Sequence, residues 1–273
     1  VFATVHTAFN HPIVVAKQLA TLDQLSNGRI GLNVVAGWNK PEYDAFGMDL
    51  PSDHNDRYAM AQEWFDYVTR LWKEDCAFDW DGTFFRGKGV YGLPHPVQAR
   101  VPIINAAASD EGRAFAMRNA DFLFTPVFDF GQAQETVEDI KSKAVSVGRN
   151  VEVLTFCTVV CRPTQKEAED YLDWYANENA DWDAVDNLMT LQGMHAQSFT
   201  KEALAMFRDR FAAGHGGFPL VGTPDRIADL LEQLSATGVA GTTLSFVDYA
   251  KEFPYFRQEV MPRLEAKGLR QPL

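Results

Sequence analysis

The chain has 273 residues, 46% of them hydrophobic and 23% charged, which is enough for one large core. Twenty-five Lys and Arg face 37 Asp and Glu, a net charge of −12, and so acidic a surface argues against nucleic acid or anionic lipid as the main partner. Three cysteines (Cys76, Cys157 and Cys161) are too few for a disulfide scaffold and fit a reducing cytoplasm, and no apolar run approaches the ~20 residues of a membrane span.

Residues 1–9 are β-branched and aromatic and read as a strand, on which Thr4 and His6, two apart, share one face. Residues 12–24 follow as a helix, with Val15, Leu19 and Leu22 at helical spacing, stopped by Ser26-Asn27-Gly28. The next strand, 30–36, is apolar except for Asn33, whose amide must be satisfied by neighbouring backbone or by a ligand. Gly37-Trp38 ends that strand, at the place where barrel enzymes build their sites. Glu42 comes soon after, either a site carboxylate or a surface one.

Residues 39–96 interrupt the strand–helix rhythm. A long helix over 56–72, capped by Asp56, opens with Arg57-Tyr58; a solvated Arg is the plain alternative to an anion ligand there. FDWDGTFFRGKGVYGLPHP then predicts a hairpin or loop. Its Gly82 to Lys88 spacing matches a phosphate loop, but Gly89 stands where a Ser or Thr should meet Mg²⁺. Gly87-Lys-Gly89-Val-Tyr-Gly92 spells a dinucleotide fingerprint, but Pro94 and Pro96 forbid the helix it needs. Both motifs are loop glycines.

The rhythm resumes with a strand at 101–107 and a helix at 111–118. Between them, Ala106-Ala107-Ala108-Ser109-Asp110-Glu111-Gly112 ends a strand in small residues and starts a helix at Ser109. Backbone N–H groups at such an end bind phosphate, aided by the helix dipole; otherwise Ser109 is simply an N-cap. Asp110 and Glu111 suit an anion only if their carboxylates turn aside. Strands at 122–125, 151–161 and 241–247 and helices at 132–147, 165–175 and 253–267 complete the chain. A second insertion, 173–219, carries helical pieces that end in Gly214-His215-Gly216-Gly217 and suggests a movable lid. Six strands alternating with helices predict an α/β fold with a parallel sheet. Cys157 and Cys161 lie about 13 Å apart along their strand, too far for one metal ion. The six histidines, His195 and His54 among them, show no HExxH spacing, and no GxSxG elbow is present.

TLDQLSNGRIGLNVVAGWNKPEYDAFG, DRYAMAQEW and LPHPVQARVPIINAAASDEGRAFAMRNADFLF together resemble the bacterial-luciferase-like flavin monooxygenases. Within them the chain looks most like the branch of pyrimidine monooxygenase and dimethylsulfone monooxygenase, and PLVGTPDRIADLLEQL and FVDYAKEFPYFRQEVMPRL extend the resemblance. It implies a TIM-type (β/α)8 barrel with insertions after strand ends, one domain over 1–273 with insertions at about 39–96 and 173–219. The six strands would be the third to eighth, so the chain is expected to lack the first two βα units, in keeping with Val1 in place of an initiator Met.

The resemblance also implies an FMNH2-dependent monooxygenase of a two-component system. A separate NAD(P)H:flavin reductase supplies the FMNH2, O2 is co-substrate, and a small pyrimidine-like amide or sulfone takes one oxygen atom. Carried over by residue, Asn33 lies at the flavin with Glu42 nearby, and Arg57, Tyr58 and Ser109, with Gly112 in the same turn, hold the ribityl phosphate. Thr4 frames the oxygen pocket with Asn33, and His6, which the pyrimidine pattern does not match, is a substrate-side candidate. Phe156 and Thr158 stand where alkanesulfonate monooxygenases carry Arg and His, which argues against an anionic sulfonate. The implied enzyme is cytoplasmic and a dimer or tetramer. A deazaflavin (F420)-dependent hydride-transfer oxidoreductase and a non-catalytic flavin-binding protein are the alternatives.

Overall fold

The computed structural model describes all residues except Ser52, Ala108, 195–199 and Leu273, so Ala108 of the small-residue run and His195 lie outside the described residues. Two compact units divide the chain, Val1–Phe124 with Ser142–Glu152 and Thr125–Lys141 with Val153–Leu273.

In the first unit, β1 (Phe2–His6) is followed by α1 (Pro12–Ser26) and β2 (Gly31–Val35). Pro12 starts α1 where a missing N–H costs nothing, and Asn27 and Gly28, both at positive φ, end it. Then come α2 (Lys40–Ala45), α3 (His54–Leu71), the antiparallel pair β3 (Phe78–Asp81) and β4 (Arg86–Val90), β5 (Ile103–Asn105), α4 (Asp110–Asn119) and β6 (Phe122–Phe124). Strands β1, β2, β5 and β6 lie side by side, all parallel. The period of two decides the faces. Leu32, Val34, Ile103 and Leu123 are buried, while Thr4, Asn33 and Ile104 occupy the alternate, more open positions.

Helix α3 begins two residues before the expected Asp56. Asp53, in extended backbone, is the cap and accepts from the Asn55 N–H at 2.8 Å. Asp56 falls instead in the first turn, where the helix dipole favours a carboxylate. The expected hairpin or loop is a hairpin, and α3 holds it through Glu63. That carboxylate accepts from the backbone N–H groups of Thr83, Phe84 and Phe85 and from the Trp80 indole, at 2.9–3.2 Å.

In the second unit, α5 (Phe130–Ser146, its last turn belonging to the first unit) precedes β7 (Glu152–Cys161), α6 (Gln165–Asp173), a π-helical turn (Trp174–Glu178), α7 (Trp182–Leu191) and α8 (Lys201–Gly214). Strand β8 (Phe218–Gly222), α9 (Pro224–Ala236), β9 (Gly241–Ser245), α10 (Tyr249–Glu259) and α11 (Met261–Ala266) finish it. Strand β7 pairs in parallel with both β8 and β9. The sequence pattern did not predict β8, because it starts inside the insertion and contains Pro219. An edge position tolerates that proline, and β8 pairs only with β7 among the described residues.

The glycines after α8 are not a slack hinge. Thr158 Oγ1 donates to the Gly214 carbonyl at 3.2 Å, and the Tyr175 hydroxyl donates to the Ala213 carbonyl at 2.9 Å. A Cβ on Gly217 would lie 2.7 Å from Thr158 Oγ1. The segment is glycine-rich because β7 passes so close.

Candidate active site

All eight candidate residues belong to the first unit, and the structure gathers them into two groups. The first lies on the open face of β1 and β2. Thr4 and Asn33 are direct register partners, and Asn33 Nδ2 donates to Thr4 Oγ1 at 3.2 Å. Because Thr4 accepts there, its own O–H is left to donate elsewhere. Asn33 Oδ1 is buried and has no hydrogen-bond partner. The pair therefore offers one donor and one acceptor side by side.

His6 ends β1 two residues beyond Thr4. Its Nδ1 accepts from the Ala8 N–H at 3.2 Å, which puts the proton of the neutral ring on Nε2, an atom that is buried without a partner. The ring stacks on Phe9 at 4.0 Å and meets Tyr43 edge-on at 5.3 Å. Burial pushes the His6 pKa down, partly offset by the Glu42 carboxylate. Glu42 itself is exposed in the first turn of α2. Gly37, at φ +97°, closes over this group, since a Cβ there would lie 2.2 Å from His6 Nε2 and 2.6 Å from the Tyr43 hydroxyl.

The second group forms where α3 and α4 begin. Tyr58, in the first turns of α3, brings its hydroxyl within hydrogen-bond reach of Ser109, the cap of α4. Gly112 makes the approach possible, because a Cβ there would sit 2.4 Å from that hydroxyl. Ser109 Oγ accepts from the Gly112 N–H at 3.2 Å, so its capping role is real, and its hydroxyl proton is directed toward Tyr58. Arg57 is only 7% exposed. One of its nitrogens donates to the Pro51 carbonyl at 2.6 Å, and no carboxylate lies within ion-pair distance among the described residues. Burial raises the Tyr58 pKa; the Arg57 charge opposes that rise and Glu111 adds to it. Glu111 thus stays close enough to compete for the cradle, whereas Asp110 points to solvent.

Tyr43 lies between the groups and escaped the sequence reading. It is fully buried in the short helix α2, its hydroxyl donates to the Ala36 carbonyl at 3.2 Å, and it feels the charges of both Arg57 and Glu42. Its place in KPEY was a signal without an assigned role. Two helix N-termini, a buried cation, paired hydroxyls and a glycine-lined approach make a place that could hold a terminal phosphate. The orphaned Asn33 oxygen suits a polar ring edge that carries an N–H. The residues therefore fit a flavin mononucleotide.

A family model described as luciferase-like monooxygenase matches residues 1–241. An FMNH(2)-dependent dimethylsulfone monooxygenase of Pseudomonas fluorescens (strain Pf0-1) is 32% identical over 270 residues, 94% of this chain and 72% of that protein. Pyrimidine monooxygenase RutA of Acinetobacter baylyi is 29% identical over 276 residues, 98% of this chain and 73% of that one. Among solved structures, riboflavin lyase (RcaE), determined with modified FMN and riboflavin, superposes with a TM-score of 0.86 at 24% identity. That match covers 99% of this chain and 71% of the other and speaks for the fold.

Proposed function

The chain belongs to the luciferase-like monooxygenase family, and from that premise we propose that it is the oxygenase of a two-component flavin system. Its fold class is the family's TIM-type barrel. FMN, delivered reduced by a separate NAD(P)H:flavin reductase, would supply the two electrons with which one atom of O2 enters a small organic substrate and the other leaves as water. No helix of the described chain is long and apolar enough to cross a membrane, and we place the enzyme in the cytoplasm, where reduced nicotinamide is at hand.

The observation that carries this reading is Arg57. A guanidinium drawn inside beside two helix N-termini, with one carbonyl for a hydrogen-bond partner among the described residues, is costly unless an anion joins it. Arg57, Tyr58 and Ser109 would grip the phosphate and Gly112 would give it room. Asn33 would accept from the ring edge, and the Thr4 hydroxyl would donate to negative charge developing on oxygen. Such a preorganised donor acts where the charge appears. His6 would face the substrate side as a neutral ring, its basicity lowered by burial and partly restored by Glu42. The substrate class follows the relatives, a small sulfone or a pyrimidine-like amide. The test is direct: FMN should bind far more tightly than riboflavin, which lacks the phosphate, and equal affinities would sink the assignment.

A further inference from the structure

We infer that the paired amides of Gln62 and Asn119 are positioning residues that set the geometry of the phosphate cradle; this rests on the FMN reading above. Both residues lie on the helices that build the cradle, Gln62 one turn beyond Tyr58 on α3 and Asn119 at the last residue of α4. Asn119 Nδ2 donates to Gln62 Oε1 at 2.6 Å, and Gln62 Nε2 donates to Asn119 Oδ1 at 3.3 Å. Each amide has a second anchor. Asn119 Nδ2 also donates to the Phe115 carbonyl at 3.0 Å, and Gln62 Nε2 to Asp66 Oδ1 at 2.9 Å. Asn119 is buried, so these groups have little water to fall back on.

The rest of the interface between α3 and α4 is mainly aromatic. Phe115 of α4 lies between Tyr58 and Phe65 of α3, with ring centroids at 5.9 and 6.1 Å. Such packing holds two helices together but has little preference about sliding, because dispersion and hydrophobic contacts are weakly directional. The reciprocal amides are directional. A slide by one residue is about 1.5 Å along the axis and would strain both reciprocal bonds, at the cost of the partners that Gln62 Oε1 and Asn119 Oδ1 find across the interface. The same slide at the other end would carry the Tyr58 hydroxyl off Gly112, the residue whose bare Cα admits it, and away from Ser109. Binding geometries tolerate roughly 0.5 Å of misplacement, so the amide pair selects the one register in which the cradle exists.

The experiment titrates FMN and riboflavin into the full chain by flavin fluorescence, for wild type, Asn119→Leu, Gln62→Met and the exchanged double variant Gln62→Asn/Asn119→Gln. Each single variant keeps side-chain volume and removes the reciprocal bond. The inference predicts that both singles melt cooperatively, lose FMN affinity by ~10-fold or more, and hold riboflavin affinity within about twofold. The exchanged pair should regain part of the FMN preference. If Asn119→Leu does not fold, Gln62→Met alone decides, since its amide sits at the more accessible end. Loss of both flavins in parallel would reduce the pair to a stability element and overturn the inference, as would an unchanged FMN preference. Equal affinity for the two flavins in the wild type would instead remove the phosphate reading, and this inference with it.

Discussion

Arg57 holds its charge in the interior with the Pro51 carbonyl as its one hydrogen-bond partner among the described residues. Replacing it with alanine should weaken FMN binding by about 1.5–3 kcal/mol, the worth of a charge-assisted hydrogen bond, and leave riboflavin binding unchanged. Calorimetric titration with each flavin checks this; intact FMN affinity would return Arg57 to a structural role. Thr4→Val and Asn33→Ala remove the free donor and the free acceptor of the open face. Both should still bind FMN, while product formed per NADH consumed falls by about 10²–10³. Near-normal coupling in both would put the oxygen pocket elsewhere. His6 gives a pH signature through burial, which lowers its pKa from the ordinary 6.5. The unfolded chain then takes up the proton first, so a stability penalty grows as pH falls below 6.5 and is complete under the lowered value. His6→Phe should flatten that part of the melting-temperature profile, and an unaltered slope would contradict the assignment. Thr4 and Asn33 were legible from an even spacing on one strand and a polar residue in an apolar one. The pairing of Gln62 with Asn119 was not, since a contact across 57 positions leaves no local pattern.

Among the elements, the turn of the β3–β4 hairpin is tied to α3 by the Glu63 carboxylate. Burial alone would raise the Glu63 pKa, but the amides of Phe84, Phe85 and Thr83 and the Trp80 indole outweigh it and hold Glu63 below its ordinary value. Its contribution is therefore present above that ordinary value and lost as pH falls through the lowered one. Glu63→Ala should speed hydrogen exchange at Thr83, Phe84 and Phe85 at neutral pH; undiminished protection would show that the hairpin is held by other contacts. The hairpin was readable as a glycine-rich break in the helix pattern, but its anchor was not. The cap of α3 is Asp53 rather than the expected Asp56, since two aspartates bracket the helix start and only backbone conformation distinguishes Asp53 as the cap. The glycines at 214–217 suggest freedom to move in the sequence, and in the fold they let Thr158 pack close. Gly217→Ala should destabilise the chain, because the added carbon meets both the side chain and the backbone nitrogen of Thr158, at 2.7 and 3.1 Å. A melting temperature within a degree or so of wild type would mean that β7 and this turn can part at little cost.

For the molecule as a whole, the alternation of apolar strands and amphipathic helices carried most of the fold in advance. All six expected strands form, because each is a short apolar run bounded by turn residues. The strand at Phe218–Gly222 was hidden by a proline and by its place at the end of an insertion, where pairing with β7 rather than its own propensity makes it extended. In the function proposed above, the pair of polar groups on the open sheet face would orient the ring of a bound FMN and the Arg57 cradle would grip its phosphate. The most direct test supplies the chain with FMN, NADH, a flavin reductase and ¹⁸O2, and offers small sulfones and pyrimidine amides. The account predicts a product carrying one ¹⁸O atom, formed in step with NADH consumption and suppressed by Asn33→Ala. Oxygen uptake that ends only in H2O2 across the panel, or turnover with a deazaflavin and no oxygen uptake, would contradict it.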